Sequence, residues 1–251
     1  MYPRLDSYMV CIVVGIIVCL WSFMQRCRKL GVDKQMFRSY IILGGFSLAI
    51  GAVCASLLQS LFTSIMTGEP YVPFSSGTTF YGGLLGGATC FVVGGLIFLK
   101  GKSRDYFLPV CNIALASVVL AHAFGRIGCF MGGCCYGITT GTFLDMYFPS
   151  LAKSVLPTQL YECIFLFALY YVMTKRDVHS LQIYCFGYGA FRFLIEFLRG
   201  DIARGEFVPG MSPAQFISIL LVVTGIVLTV FWDKISSSSI NRVDKVETSQ
   251  Q

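Results

Sequence analysis

Charge is the scarcest ingredient of this sequence. Asp, Glu, Lys and Arg supply 13% of its 251 residues, about half of the roughly 25% found in soluble globular domains. The shortage falls in long apolar runs, and 55% of the chain is hydrophobic, which excludes a soluble core and marks a chain that crosses a bilayer several times. Paired CxxC motifs are missing despite eleven cysteines, so spacing offers no structural zinc site and neither a metal nor another cofactor is expected. Most of those cysteines (Cys11, Cys19, Cys54, Cys90, Cys111, Cys163 and Cys185) sit inside apolar runs, where they act as small hydrophobes. The first apolar run has no basic leader and no small-residue cleavage site, so a removable secretory signal is not expected. A net charge of +6 raises the question of nucleic acid. That reading fails, because Lys and Arg occur in short blocks between apolar runs.

Stretches long enough to span a bilayer as helices lie near Tyr8–Met24, Tyr40–Met66, Phe80–Leu99, Phe107–Phe124, Leu160–Thr174, Leu181–Leu198 and Ala214–Trp232. The expected fold is an all-α integral membrane protein of about seven transmembrane helices, one domain over residues 1–235. A polar, Ser-rich cytoplasmic tail at 236–251 is expected to lack regular structure. Thirteen of the 19 basic residues collect on one side. They are Arg26, Arg28, Lys29, Lys34 and Arg38, then Lys100, Lys102 and Arg104, then Lys175 and Arg176, then Lys234, Arg242 and Lys245. By the positive-inside bias the N-terminus is outside and the C-terminus cytoplasmic, as an odd number of spans requires.

With that orientation one stretch at the outer side stands out, His122–Gly137, HAFGRIGCFMGGCCYG. Five glycines allow turns with positive φ and close approach to a ligand. Arg126 at the mouth of an apolar run can fork onto a phosphate, or simply snorkel from a flexible loop. Cys129, Cys134 and Cys135 are the only cysteines dense enough to act as candidate thiols. His122 on an apolar helix end reads as a hydrogen-bonded structural residue.

The sixth stretch holds YGAFRFLIEFLRGD, Tyr188 to Asp201. On a helix Arg192, Glu196 and Arg199 lie about 40°, 80° and 20° round from Tyr188, so four polar groups share a face. Ionisable groups at membrane depth point to function, and an Arg192–Glu196 pair locking two helices is the structural alternative. In LPTQLYE, Leu156–Glu162, Thr158 reads as an N-cap and Glu162 as a first-turn acid favoured by the helix dipole. Gln159 and Glu162 share a face. FYGGLLGG, Phe80–Gly87, makes a smooth glycine strip suited to helix packing or lipid approach, with Tyr81 beside it.

Together YGGLLGG, GRIGCFMGGCCYG, PTQLYE, YGAFRFLIEFLRGD and the later GMSPAQFIS resemble the prolipoprotein diacylglyceryl transferase family of bacterial membrane enzymes. The resemblance implies a site open to the outer leaflet of the bacterial plasma membrane. It implies transfer of diacylglyceryl from phosphatidylglycerol to the lipobox cysteine thiol of a prolipoprotein signal peptide, releasing glycerol phosphate. Arg126 and Arg192 then face the phosphate, with Glu196 and Arg199 orienting them. Tyr8 and Tyr188 match family positions able to bond the head group. Gly82, Gly83, Gln159 and Glu162 fall within the matched motifs, and Gly137 matches the glycine closing the central one. The chain departs from the family pattern at Tyr81-Gly82-Gly83, where the family has His-Gly-Gly. It also has Cys129, Gly132-Gly133 and Cys134 where the family has Asn, Asn-Gly and Glu. The proton acceptor then falls to Tyr81, His122 or Glu162.

Three other readings stay open. A paralogue could bind an anionic lipid and transfer another group through one of the cysteines. The cysteine cluster could serve thiol–disulfide or metal handling. A transporter could line its path with the Arg–Glu face, although no internal repeat supports it.

Overall fold

Apolar runs of this length close their backbone hydrogen bonds within themselves, and the chain is accordingly mostly helical. The computed structural model describes residues 4–75, 77, 79–176, 179–200 and 211–248. Eight α-helices are present among them: α1 (Arg4–Lys29), α2 (Lys34–Thr67), α3 (Phe80–Phe98), the single turn α4 (Lys102–Asp105), α5 (Phe107–Met131), α6 (Thr158–Lys175), α7 (Ser180–Ile195) and α8 (Pro213–Thr248). Among the described residues, four helical segments are long and apolar enough to cross a membrane: Ser7–Lys29, Lys34–Ile65, Phe107–Met131 and Pro213–Phe231.

The fold is mostly helical, as expected, with one short hairpin in the connection after α5, where β1 (Met146–Phe148) pairs antiparallel with β2 (Lys153–Val155). Two expectations need correction. The sixth helix ends at Ile195 rather than Leu198, because its last turn tightens into a 3-10 turn at Glu196–Leu198. The polar tail is helical to Thr248, continuous with α8; Ser-rich sequence weakens a helix but contains no proline or glycine here to stop it.

The chain divides into two compact units. One comprises Met1–Cys27 and Leu108–Ser238. Its core is built by α5, α6 and α7 from Ala116, Val119, Ala123, Cys163, Leu166, Leu169, Met173, Tyr184 and Tyr188. Ala116 and Ala123 of α5 are fully buried, and small residues there let neighbouring backbones come close. Half of the apolar window of α5 is buried, against about a fifth in α1 and α8. Polar side chains tie the helices where no water competes. Ser117 Oγ donates to Ser22 Oγ at 3.3 Å, and Ser22 Oγ lies 3.0 Å from Tyr170 Oη, joining α5, α1 and α6. Asn112 Oδ1 accepts the Leu181 N–H at 3.1 Å, satisfying one of the donors that the first turn of α7 leaves open.

The other unit comprises Arg28–Phe107 and Ser239–Gln251. Asp33 caps α2, accepting the Met36 N–H at 2.8 Å. Helices α2 and α3 meet along the glycine strip. A Cβ on Gly82 would lie 2.5 Å from the Cys54 carbonyl oxygen, and one on Gly86 2.5 Å from Cys54 Cβ. The strip is therefore a helix-to-helix contact, closest at Gly82, where no larger residue fits without shifting backbone, and looser at Gly83.

Candidate functional site

Three helices of the first unit bring charge into its core. Arg126 comes from α5, Glu162 from α6 and Tyr188 from α7. Glu162 is 1% exposed, and its Oε1 accepts both Arg126 Nη2 and Tyr188 Oη at 2.9 Å. His122, one turn before Arg126, places Nε2 3.8 Å from the same oxygen and its ring edge-on to Tyr188 at 5.4 Å between centroids. A buried carboxylate without such partners would cost several kcal/mol. Here three groups from two other helices converge on it.

This corrects the reading of LPTQLYE as a capping segment. The N-cap position of α6 is Pro157, and it makes no side-chain cap. Thr158 is already helical, and its hydroxyl donates to the Cys135 carbonyl at 2.9 Å. Glu162 lies beyond the first turn and serves Arg126 and Tyr188 instead of the helix dipole. Gln159 Nε2 donates to the Cys134 carbonyl at 2.5 Å. Two side chains at the start of α6 thus clamp the cysteine turn.

The second charged pair lies at the end of α7. Arg192 Nη1 is 2.6 Å from Glu196 Oε2, with both side chains more than nine-tenths buried. Ser212 Oγ donates to the other oxygen of Glu196 at 3.0 Å. Ser212 also heads a capping box for α8: Gln215 N–H donates to its hydroxyl, and its own N–H donates to Gln215 Oε1. Pro213 fills the first helical position. The S-P-A-Q pattern carried this signal in the sequence.

Arg199 departs from the shared helical face. It follows the 3-10 turn in extended conformation and bridges Gly137 in a two-residue antiparallel contact. Around it Ile138 N–H donates to the Leu198 carbonyl at 2.9 Å and Gly200 N–H to the Tyr136 carbonyl at 3.1 Å. Gly137 N–H completes the junction on the Leu156 carbonyl at 2.8 Å. A Cβ on Gly137 would sit 2.6 Å from the Leu198 oxygen and 2.8 Å from Thr158 Cγ2, so only glycine fits where these segments meet.

The turn after α5 is a Schellman motif. Cys134 N–H donates to the Cys129 carbonyl and Gly133 N–H to the Phe130 carbonyl, both at 3.1 Å, with Gly133 at φ +67°. That geometry folds Cys134 back over Cys129. Cys135 follows at φ +64°, a left-handed conformation rare outside glycine and asparagine. Hydrogen bonding from the Cys129 and Cys134 side chains, helped by Arg199 and Arg126, holds the Cys135 thiol below the ordinary thiol range. The same contacts push Cys134 up.

Tyr8 of α1 packs beside α5, where a Cβ on Gly128 would be 3.1 Å from its ring. Tyr8, His122, Arg126, Cys129, Cys134, Cys135, Gly137, Gln159, Glu162, Tyr188, Arg192, Glu196 and Arg199 all belong to the first unit. Gly82 and Gly83 belong to the second, where they pack on α2. The Tyr81 side chain and Asp201 lie outside the described residues. Arg126 Nε and Gln159 Oε1 are buried without a hydrogen-bond partner. Such orphaned groups invite a ligand.

The fold and this site define a helical membrane protein with a buried, charge-paired centre between three helices. The chain belongs to the prolipoprotein diacylglyceryl transferase family, whose model matches residues 3–231. It is 31% identical over 238 residues to a protein of Clostridium perfringens (strain 13 / Type A) named phosphatidylglycerol–prolipoprotein diacylglyceryl transferase 2, with 90% of each chain covered. Likeness to the corresponding transferase of Clostridium tetani (strain Massachusetts / E88) is 30% over 234 residues, covering 89% of this chain and 91% of the relative. For the Chlorobaculum tepidum transferase it is 31% over 207 residues, covering 78% and 68%.

Proposed function

We propose that the protein transfers diacylglyceryl from phosphatidylglycerol to the lipobox cysteine thiol in the signal peptide of a prolipoprotein, releasing glycerol phosphate. The observation that carries this reading is the buried Arg126. Glu162 fixes its Nη2, while its Nε keeps a donor free in a site shielded from water. In the reaction a thiolate attacks a glyceryl carbon and a phosphate ester leaves, so fixed positive charge at the leaving phosphate lowers the barrier. Arg126 meets that charge, and Arg192, steadied by Glu196 and Ser212, adds to it. Tyr188 and His122 hold Glu162 in place, and Glu162 keeps the guanidinium aligned between reaction cycles. Arg199 adds positive charge at the cysteine turn, and Tyr8 and Gln159 line the approach to it.

The same reading places the chain in the bacterial plasma membrane with seven spans, N-terminus outside and C-terminus cytoplasmic. The short basic connections support that orientation. Purified protein in detergent, given phosphatidylglycerol and a fluorescent lipobox peptide, tests the function. The peptide gains one diacylglyceryl mass with wild type, and Arg126→Ala reduces the rate by at least a hundredfold, the scale on which removing one transition-state donor acts. Undiminished transfer by Arg126→Ala removes the arginine from the mechanism.

A further inference from the structure

The site as described leaves the three thiols of the turn after α5 without a chemical task. Among the described residues, Cys129, Cys134 and Cys135 are the one group of His, Cys, Asp or Glu side chains whose donor atoms lie close enough to hold a metal ion, with all three Sγ atoms within 4.8 Å of one another. A tetrahedral zinc with Zn–S bonds of about 2.3 Å sets its sulfurs about 3.8 Å apart, so the trio needs to close by no more than about 1 Å. A disulfide would use two of the three and leave one over.

The trio is also held from outside itself. The two Schellman hydrogen bonds fold Cys134 onto Cys129. The left-handed backbone of Cys135 turns the third thiol toward the same point, a conformation that persists only where surroundings impose it. Those surroundings are visible: Thr158 and Gln159 grip the carbonyls of Cys135 and Cys134 from the start of α6. Cys134 is exposed while Cys129 and Cys135 are half-buried, so one side of the cluster is open. Three ligands with one open side is the pattern of a zinc site that works on a substrate.

We propose that Cys129, Cys134 and Cys135 bind a zinc ion as three thiolates and that its fourth position takes the acceptor cysteine thiol of the protein substrate. The second half rests on the transferase reading above. Coordination releases the acceptor S–H proton to water and keeps the sulfur as a thiolate at neutral pH. That sulfur forms the new C–S bond to the glyceryl carbon. The C–O bond to phosphate breaks with its electron pair on the phosphate oxygen, giving a thioether and glycerol phosphate. No oxidant or reductant enters. The turn begins three residues beyond Arg126, so one helix end carries both the thiol-activating cluster and the phosphate-binding charge.

The full chain, purified in detergent under a phosphine reductant, is analysed for metal by mass spectrometry. The expected content is one zinc per chain, with affinity reduced tenfold or more by Cys129→Ser, Cys134→Ser or Cys135→Ser. Zinc should also shield these three residues of the wild type from iodoacetamide, a readout that does not depend on how the variants fold. With Co²⁺ in place of zinc, a thiolate charge-transfer band appears and strengthens when lipobox peptide is added, but not with a peptide whose cysteine is serine. Substoichiometric zinc, unchanged affinity in the three variants, or unprotected thiols overturns the site. A cobalt band insensitive to the peptide overturns the acceptor half. Arg126→Ala should keep the zinc and the peptide response while losing transfer. A wild type with both responses and no transfer keeps the metal site and rejects the transferase reading.

Discussion

Glu162→Gln isolates the energetic keystone of the site. The substitution preserves size and one carbonyl oxygen but removes the charge that Arg126 and Tyr188 both bond at 2.9 Å. Glu162 is 1% exposed, so the change leaves a buried guanidinium without its counter-charge. Breaking a buried pair from one side costs about 3–5 kcal/mol, whereas replacing both partners is often close to neutral. Arg126→Met should cost a similar amount, because it strands the carboxylate instead. The double variant Arg126→Met/Glu162→Gln should then lose much less than the sum, giving a coupling of at least ~2 kcal/mol. Tyr188→Phe removes one hydrogen bond and should cost ~1 kcal/mol, the scale measured between membrane helices. Reversible unfolding in mixed SDS micelles, followed by circular dichroism, reads all four. Additive single effects, within ~0.5 kcal/mol, would mean that the two side chains do not act as a pair.

Gly137→Ala should destabilise the protein by ~1–3 kcal/mol, since its Cβ would press on the Leu198 oxygen and Thr158 Cγ2; thermal unfolding monitored in detergent checks it, and an unchanged midpoint would show that the junction yields. Ser212→Ala loses the capping box of α8 and the hydroxyl on Glu196, and a drop of ~1–2 kcal/mol is expected by the same assay, with no change if the cap is made by another group. The loop Thr140–Asp145 should loosen in acid. Desolvation opposes it, but the Thr140 hydroxyl and the amides of Gly141 and Thr140 hold the Asp145 carboxyl below its ordinary range. Its stabilisation is therefore complete above the usual aspartate pKa of about 3.9 and is lost as pH falls through the lower folded value. Amide exchange at Thr140 and Gly141 should accelerate only in that acid range, and Asp145→Asn should abolish the pH dependence.

Much of this was legible in the sequence for reasons of scale. Apolar runs of membrane length force helices, so helices occur in each of the seven expected stretches, most ends lying within a few residues of expectation while α5 and α8 run on to Met131 and Thr248. The buried partners Arg126, Tyr188, Arg192 and Glu196 stood out because charge and hydroxyl are expensive in apolar runs. What escaped were features set by chain reversal. Glu162 read as a helix-dipole acid because its true partner lies on another helix, 36 residues earlier in the chain. Arg199 was assigned to a helical face that ends one turn before it, where the 3-10 turn and the Gly137 bridge redirect the backbone. The cysteine cluster is dense enough to stand out in the sequence, but the turn that gathers its thiols is not, because the Schellman motif joins residues five apart. The M-G-G-C-C run after an apolar helix, with glycine at the left-handed position, was the signal available for it.

The account's central claim is that lipid cleavage and thioether formation are one event at this site. Phosphatidylglycerol with a labelled diacylglyceryl portion, incubated with wild-type protein and an equimolar lipobox peptide, measures both products at once. The account predicts peptide-bound diacylglyceryl and free glycerol phosphate in equal amounts at every time point, and neither with Arg126→Ala. Glycerol phosphate released without peptide labelling, or no lipid turnover by folded wild-type protein, would contradict it.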